Sequence, residues 1–244
     1  MTAPCLEFVG VSKAYVGKTV LDDINLILPS RMTVAMVGES GSGKSTLLQL
    51  ANGLVRPESG SVSIFGEPLD YAALSEKRRA MGYAVQGAGL FPHLTAADNI
   101  TLVARLSGWS PDAVAARLVR VCELLSLDPE LTTRFPHALS GGQQQRVSLC
   151  RAMMLNPELL LLDEPFSALD PITRRAIHDE FLNLQAAESR SVVIVTHDMA
   201  EAVKLGQHLV ILREGRVVQT GTTNEVRSAP ADDYVSGLFA EALA

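Results

Sequence analysis

The chain has 244 residues, 47% of them hydrophobic, and 21 Lys and Arg against 27 Asp and Glu give a net charge of −6. That length suits one large α/β domain or a core with a subdomain. The acidic balance argues against nucleic acid as a partner, because phosphate-backbone binding needs a basic face. The short Lys77-Arg78-Arg79 run reads as a solvated face. Apolar runs such as 159–162 and 192–195 are of strand length, far short of the ~20 residues of a membrane span. No signal-peptide pattern opens the chain. Cys5, Cys122 and Cys150 lie far apart along the sequence, without metal or redox spacing, and fit a reducing compartment.

Residues 5–9 and 20–28 alternate apolar and polar side chains, which predicts antiparallel strands with a turn at Tyr15-Val16-Gly17-Lys18. Tyr15 can stack on an adenine ring, a contact worth about 1–3 kcal/mol. A plain surface tyrosine fits the position as well. Residues 33–37 are apolar and β-favouring, and residues 47–51 are strong helix formers. Between them, Gly38-Glu39-Ser40-Gly41-Ser42-Gly43-Lys44-Ser45-Thr46 matches G-x-x-x-x-G-K-[ST] in its required strand–loop–helix context. Glycines let the backbone close around a triphosphate. N–H groups at a helix start attract its charge. Lys44 adds a cation at the β/γ-phosphates, and the Ser45 hydroxyl is a ligand for Mg²⁺.

Helix 44–53 ends near Gly53, residues 56–60 form a turn cluster, and strands are predicted over 61–65 and 81–86. Gln86 closes the latter, where an amide oxygen can ligate Mg²⁺ or orient a water. A lone glutamine is more often a surface residue. From 89 to 155 the pattern is helical. Thr95 and Asp98 have capping-box spacing. Ser110-Pro111-Asp112 is a cap, a first-turn proline and a first-turn acid. Val114, Leu118, Val121 and Leu125 then mark one apolar face.

Within this stretch lies Leu139-Ser140-Gly141-Gly142-Gln143. Ser140 and Gln143 are spaced as a capping box, so a plain helix start explains part of it. Two glycines in the first turn cost about 1 kcal/mol each, and a cap does not require them. Their presence marks a second place where a phosphate can approach backbone N–H groups.

Four leucines, 159–162, suit a parallel strand buried on both faces. Asp163 and Glu164 follow at its C-terminal end, where open α/β sheets bind ligands. One acid facing Mg²⁺ and its neighbour polarising water is a natural division of labour. Helix 171–187 leads to strand 192–196 and His197, placed to donate to a γ-phosphate. His93, His137, His178 and His208 read as surface or packing residues. Helix 199–205, a hairpin of 208–212 and 216–220 about Glu214-Gly215, and a helical tail over 224–244 complete the chain.

These motifs, in this order, resemble the ATP-binding cassette (ABC) ATPases. The likeness covers nearly the whole chain. It implies an α/β P-loop NTPase (RecA-like) core with an N-terminal antiparallel β subdomain and an inserted α-helical signature subdomain. Within the single domain 1–244, residues 1–88 and 156–223 would form the nucleotide-binding core, 89–155 the helical subdomain and 224–244 the tail. By the same likeness Tyr15 is the adenine-stacking aromatic, Gly38–Thr46 the phosphate loop and Gln86 the Q-loop glutamine. Leu139–Gln143 is the signature, Asp163 the Mg²⁺-strand aspartate and Glu164 the catalytic glutamate. Ser167–Asp170 is the D-loop and His197 the switch histidine. ATP and Mg²⁺ are the implied ligands, with Ser45, Gln86 and Asp163 around the metal and Glu164, His197 and Lys44 acting in catalysis.

The implied partners are a second copy of the chain in a head-to-tail, ATP-sandwiching homodimer and permease subunits docking near Phe91-Pro92-His93. A solute-binding protein is an indirect partner, and nucleic acid is not one. The location implied is peripheral, at the cytoplasmic face of the inner membrane. Residues 89–95, 170–174, 179–185, 196–206 and 230–235 further resemble the glycine betaine/choline importer ATPases, many of which carry C-terminal CBS domains not included in residues 1–244. Importers of amino acids or lipids, soluble cassette ATPases acting on ribosomes or DNA, and P-loop kinases are the competing classes. A kinase would leave Leu139–Gln143 unexplained.

Overall fold

The computed structural model describes residues 3–242. In chain order it contains β1 (Leu6–Tyr15), β2 (Lys18–Leu28), β3 (Thr33–Val37), α1 (Lys44–Ala51), β4 (Ser59–Ile64), β5 (Glu67–Pro68) and α2 (Leu74–Arg79). Next come β6 (Met81–Ala84), α3 (Ala96–Leu106), α4 (Pro111–Leu124), α5 (Gly141–Met153), β7 (Leu159–Asp163) and α6 (Pro171–Ala187). The chain closes with β8 (Ser191–Thr196), α7 (Met199–Leu205), β9 (His208–Arg213), β10 (Arg216–Thr222), α8 (Thr223–Ser228) and α9 (Asp233–Ala242). These elements fall into two compact units, one of residues up to 78 together with those from 190 onward, the other of 79–189.

In the first unit β2, β1, β4 and β5 form an antiparallel sheet. β3 runs parallel to both β8 and β9, and β10 returns antiparallel to β9. Every residue of β3 and of β8 is buried, as strands covered on both faces require. The β9–β10 hairpin turns at Glu214 (φ 49°) and Gly215 (φ 77°), left-handed at both central positions as a tight primed turn demands. Helix α9 is seated over β3, with Val235 and Phe239 buried against Ala35 and Val37.

In the second unit β6 and β7 pair in parallel, Ala84 opposite Leu162, and β7 is wholly buried. Ser110 caps α4 by accepting from the Ala113 N–H, with Pro111 at the first position. Thr95 caps α3 by accepting from the Asp98 N–H at 3.1 Å. Helices α4 and α5 bring Cys122 and Cys150 near one another, and Cys150 Sγ donates to the Val121 carbonyl at 3.4 Å.

Several expectations need correction. β1 does not stop at residue 9 but runs to Tyr15, because Gly10 at φ 61° shifts its register and breaks the visible alternation. Gln86 is not in a strand. β6 ends at Ala84, and Gln86 enters a turn whose next three residues, Gly87, Ala88 and Gly89, all have positive φ. Residues 89–95 are loop rather than helix. α5 ends at Met153, ahead of Asn156 at φ 57° and Pro157. Helix α2 was not foreseen, since it buries no side chain and leaves no apolar stripe to read.

Candidate active site

The first unit carries the phosphate loop. Val37 pairs with Thr196 in the β3–β8 ladder, so Gly38 and His197 leave adjacent strand ends on the same side. Gly38 is required by close approach: a Cβ there would lie 2.1 Å from the Leu212 carbonyl oxygen. Gly43 is required twice, by φ of 101° and by a Cβ position 2.5 Å from Leu21 Cδ2. Lys44 is buried, and its ammonium donates to the carbonyls of Gly38 (2.7 Å) and Glu39 (2.8 Å) and to Ser42 Oγ (3.2 Å). A buried cation needs such partners.

Helix α1 begins at Lys44 behind Gly43, which offers no side-chain cap, and its first turn holds no acid. By contrast α3, α4, α6 and α7 are closed by Thr95, Ser110, Asp170 and Asp198. The positive end of α1 is thus left for an external anion. Ser45 and Thr46 are half-buried, and Glu39, Ser40 and Gly41 are exposed. The loop fits a polyphosphate: a glycine cradle, a sheltered ammonium and an uncapped helix start converge on it. Tyr15 stands at the end of the β1–β2 hairpin, 41% exposed, with the Lys13 ammonium 5.2 Å from its ring centroid. His197 is exposed.

The second unit carries the carboxylates. Asp163 is the buried last residue of β7. Glu164 follows at φ 45°, a left-handed conformation that Pro165 makes rarer still and that costs on the order of 1–3 kcal/mol. Its Oε2 accepts from Gln86 Nε2 at 3.0 Å, and its carbonyl accepts from Ser167 Oγ at 3.0 Å. Asp170 caps α6, accepting from the N–H groups of Ile172 and Thr173 at 3.1 Å each. Those hydrogen bonds, with the Thr173 side chain foremost, hold its carboxyl below the usual range.

The start of α5 forms a full capping box. Ser140 Oγ accepts from the Gln143 N–H at 3.3 Å, and Gln143 Oε1 accepts from the Ser140 N–H at 2.9 Å. Leu139 is buried, Ser140 and Gly141 are exposed, and Gly142 is half-buried. A Cβ on Gly141 would meet the Ala168 carbonyl at an ordinary 3.5 Å, and one on Gly142 would lie 3.2 Å from Leu169 Cδ2. The packing of the chain against itself therefore accounts for only part of the glycine usage.

Two residues that the sequence did not single out hold the loop between β6 and α3. The buried Asn99 accepts from the Phe91 N–H at 2.7 Å and donates to the carbonyls of Phe91, Leu94 and Thr95 at 3.0–3.1 Å. Arg151 donates to the carbonyls of Gly89 (2.8 Å) and Ala88 (2.9 Å). Phe91, Pro92 and His93 are exposed on this clamped loop, with the Phe91 and His93 rings edge to face at 6.0 Å. Elsewhere His178 packs edge-on against Phe166 at 4.7 Å, and His208 Nε2 pairs with Thr220 Oγ1 at 2.8 Å.

A mixed α/β chain with a glycine loop between a buried strand and a helix is a P-loop NTPase. Residues 21–167 match the ABC transporter family, and the chain belongs to that family as one of its ATP-hydrolysing cassettes. It is 43% identical to the glycine betaine uptake system ATP-binding protein of Escherichia coli K12, over 96% of this chain and 76% of that protein. It is 42% identical to the choline transport ATP-binding protein of Bacillus subtilis 168, over 94% of this chain but only 61% of that protein. Among solved structures it is similar to a dimeric ATP-binding cassette in a post-hydrolysis state with ADP and Pi (TM-score 0.83, 31% identity, 89% of this chain and 98% of that one). A cassette of a Clostridium perfringens ABC transporter gives a TM-score of 0.84 at 26% identity, over 94% of this chain and 92% of that one.

Proposed function

We propose that this chain powers import of a small quaternary amine, such as glycine betaine or choline. The observation that carries the ATPase part is the loop itself, with Lys44 sheltered on the carbonyls of Gly38 and Glu39 in front of an uncapped helix. The printed activities of the Escherichia and Bacillus relatives support the substrate class.

In this reading residues Gly38–Thr46 bind the triphosphate, Lys44 neutralises its β/γ oxygens and Tyr15 stacks on the adenine. The hydroxyl of Ser45, the amide oxygen of Gln86 and the carboxylate of Asp163 would hold Mg²⁺, a hard ion suited to oxygen donors. When bound, that ion neutralises charge on the phosphates. Glu164 polarises the attacking water and accepts its proton. His197 hydrogen-bonds the γ-phosphate as charge develops there, so catalysis is positioning plus electrostatics.

A second copy of the chain, arranged head to tail, supplies Ser140, Gly141 and Gly142 to the same γ-phosphate. Ser140 accepts in its capping box and keeps its hydroxyl hydrogen to donate. Asp170 and the rest of the D-loop face the dimer. Residues 89–155 serve as the signature-bearing subdomain of the single cassette, and Phe91-Pro92-His93, held by Asn99, receives the permease. Among the described residues no helix is long and apolar enough to cross a membrane. Attachment to the cytoplasmic face therefore runs through permease subunits, with a solute-binding protein delivering cargo to them.

Liposomes carrying the chain with the permease encoded beside its gene test this directly. ATP-dependent uptake of labelled glycine betaine or choline, abolished by Lys44→Ala, is the expected result. Uptake of an amino acid or a lipid alone would move the substrate assignment. Absence of a permease, with recovery only of ribosomes, would overturn the transport reading.

A further inference from the structure

The tip of the β9–β10 hairpin lies outside every motif described above, yet it is bonded to the phosphate loop. Hairpin tips commonly stand in water, but Gly215 is buried. Its N–H donates to the Ser42 carbonyl at 3.2 Å, and its own carbonyl accepts from the Asp22 N–H at 3.0 Å. The next residue, Arg216, donates through Nε to Asp22 Oδ2 at 3.1 Å. The turn is thus bonded to the phosphate loop on one side and to β2 on the other.

Packing closes the same junction. A Cβ on Gly215 would lie 2.5 Å from the Val20 carbonyl oxygen, and one on Gly43 would lie 3.0 Å from that same atom. Turn and loop therefore press against one carbonyl of β2. Left-handed φ alone does not demand glycine at 215, since asparagine tolerates it. The contact with Val20 does.

The C=O of Ser42 and the N–H of Gly43 belong to one peptide unit. A trans peptide is planar, so its N–H points opposite to its carbonyl. With the carbonyl held on Gly215, the Gly43 N–H faces away from the hairpin, just ahead of the uncapped start of α1. A backbone N–H in that place is a donor to an anion.

We propose that Gly215 is a positioning residue for ATP: its turn orients the Ser42–Gly43 peptide and so presets a phosphate-binding N–H. This rests on the reading of Gly38–Thr46 as the ATP site. A loop shaped before binding loses less freedom when the nucleotide arrives. The turn touches no reacting atom, so its effect falls on affinity and not on the chemical step at saturation.

Gly215→Asn keeps a residue that accepts left-handed φ, but its Cβ meets the Val20 carbonyl and lifts the turn from Ser42. Kd is read with a fluorescent ATP analogue and, by competition, with inorganic tripolyphosphate. Both should weaken by the same factor, about 3- to 10-fold, the span of one net hydrogen bond. The kcat at saturating ATP should stay within about twofold. Glu214→Asn, at the exposed neighbouring left-handed position, is the control and should bind like wild type. Wild-type Kd in Gly215→Asn, with or without a lower thermal midpoint, would overturn the proposal. So would a loss for ATP that tripolyphosphate does not share, because the effect would then run through β2 and the adenine side. Should Gly215→Asn not fold, the wild-type chain decides. Coupling is reciprocal, so saturating tripolyphosphate should slow hydrogen exchange of the Gly215 amide by that same factor of about 3 to 10, and unchanged exchange would overturn the proposal. Lys44→Ala is measured beside these. If Lys44→Ala binds like wild type, the loop reading fails and the proposal falls with it. If Lys44→Ala loses ATP and Gly215→Asn does not, the proposal alone fails.

Discussion

The side-chain amide of Gln86 donates to Oε2 of Glu164 at 3.0 Å. The residue that leads into the exposed Phe91 loop thereby holds the carboxylate assigned to water activation. Arg151 and Asn99 clamp the rest of that loop, at Ala88 and Gly89 and at Phe91 to Thr95. If a permease docks on Phe91 as proposed, it would act on a braced segment and move Gln86 with it, which would change what Glu164 is bonded to.

Gln86→Ala removes both the restraint on Glu164 and one proposed oxygen near Mg²⁺. Loss of such a supporting partner costs about 10–100-fold in activity. Steady-state ATP hydrolysis should fall within that range while the thermal midpoint stays unchanged, since Gln86 is exposed. Undiminished turnover would remove Gln86 from the site.

Asn99→Ala strips four hydrogen bonds from one buried side chain. Leaving the part-buried Phe91 N–H and nearby carbonyls unmatched costs about 1–3 kcal/mol. At roughly 2–4 °C per kcal/mol for a chain of this size, calorimetry should show a midpoint several degrees lower. Permease-stimulated hydrolysis should suffer more than basal hydrolysis, because the proposed docking loop loses its shape.

Ser140 has a local role and a proposed distant one, and two substitutions separate them. Ser140→Ala loses the cap, about 1 kcal/mol. Ser140→Asp keeps a capping oxygen but sets a carboxylate against the γ-phosphate. Both should abolish ATP-driven dimerisation in light scattering, and only Ser140→Ala should lower the apo thermal midpoint. Normal dimerisation of Ser140→Asp would confine the residue to capping.

Burial pushes the His208 imidazole below its ordinary pKa of 6.5, against the opposing pull of the Glu225 carboxylate. The folded chain therefore favours neutral His208, while the unfolded chain takes up its proton near pH 6.5. Below that pH the unfolded state holds more protons, so stability falls as pH falls toward the depressed native value. Urea midpoints measured from about pH 7 to 5.5 should fall less in His208→Gln than in wild type. Equal slopes would show that His208 titrates alike in both states.

What was legible in the sequence was local. The phosphate loop needs its residue types in one contiguous run, and the caps at Ser110 and Ser140 act within three residues, so both could be read directly. Helix 171–187 was bounded correctly because Pro171 follows a capping Asp170. Contacts between distant segments left no such trace. Asn99 and Arg151 are ordinary helix residues until the fold turns them onto residues 88–95. Cys122 and Cys150, 28 positions apart, come near one another only because α4 packs on α5. Gln86 was named from the sequence but misplaced, because the left-handed run at Gly87–Gly89 that ends the strand is a backbone property shared with Ala88.

The central claim is that Glu164 activates water in an ATP site closed by a second copy of the chain. Glu164→Gln tests it most directly, because it keeps size and hydrogen bonding and removes the base. General-base catalysis is worth about 10²–10⁴-fold. Hydrolysis should fall by at least that order while ATP affinity stays at the wild-type value, and an ATP-stabilised dimer should accumulate in size-exclusion chromatography. Wild-type turnover in Glu164→Gln, or a monomer with ATP bound, would contradict the account.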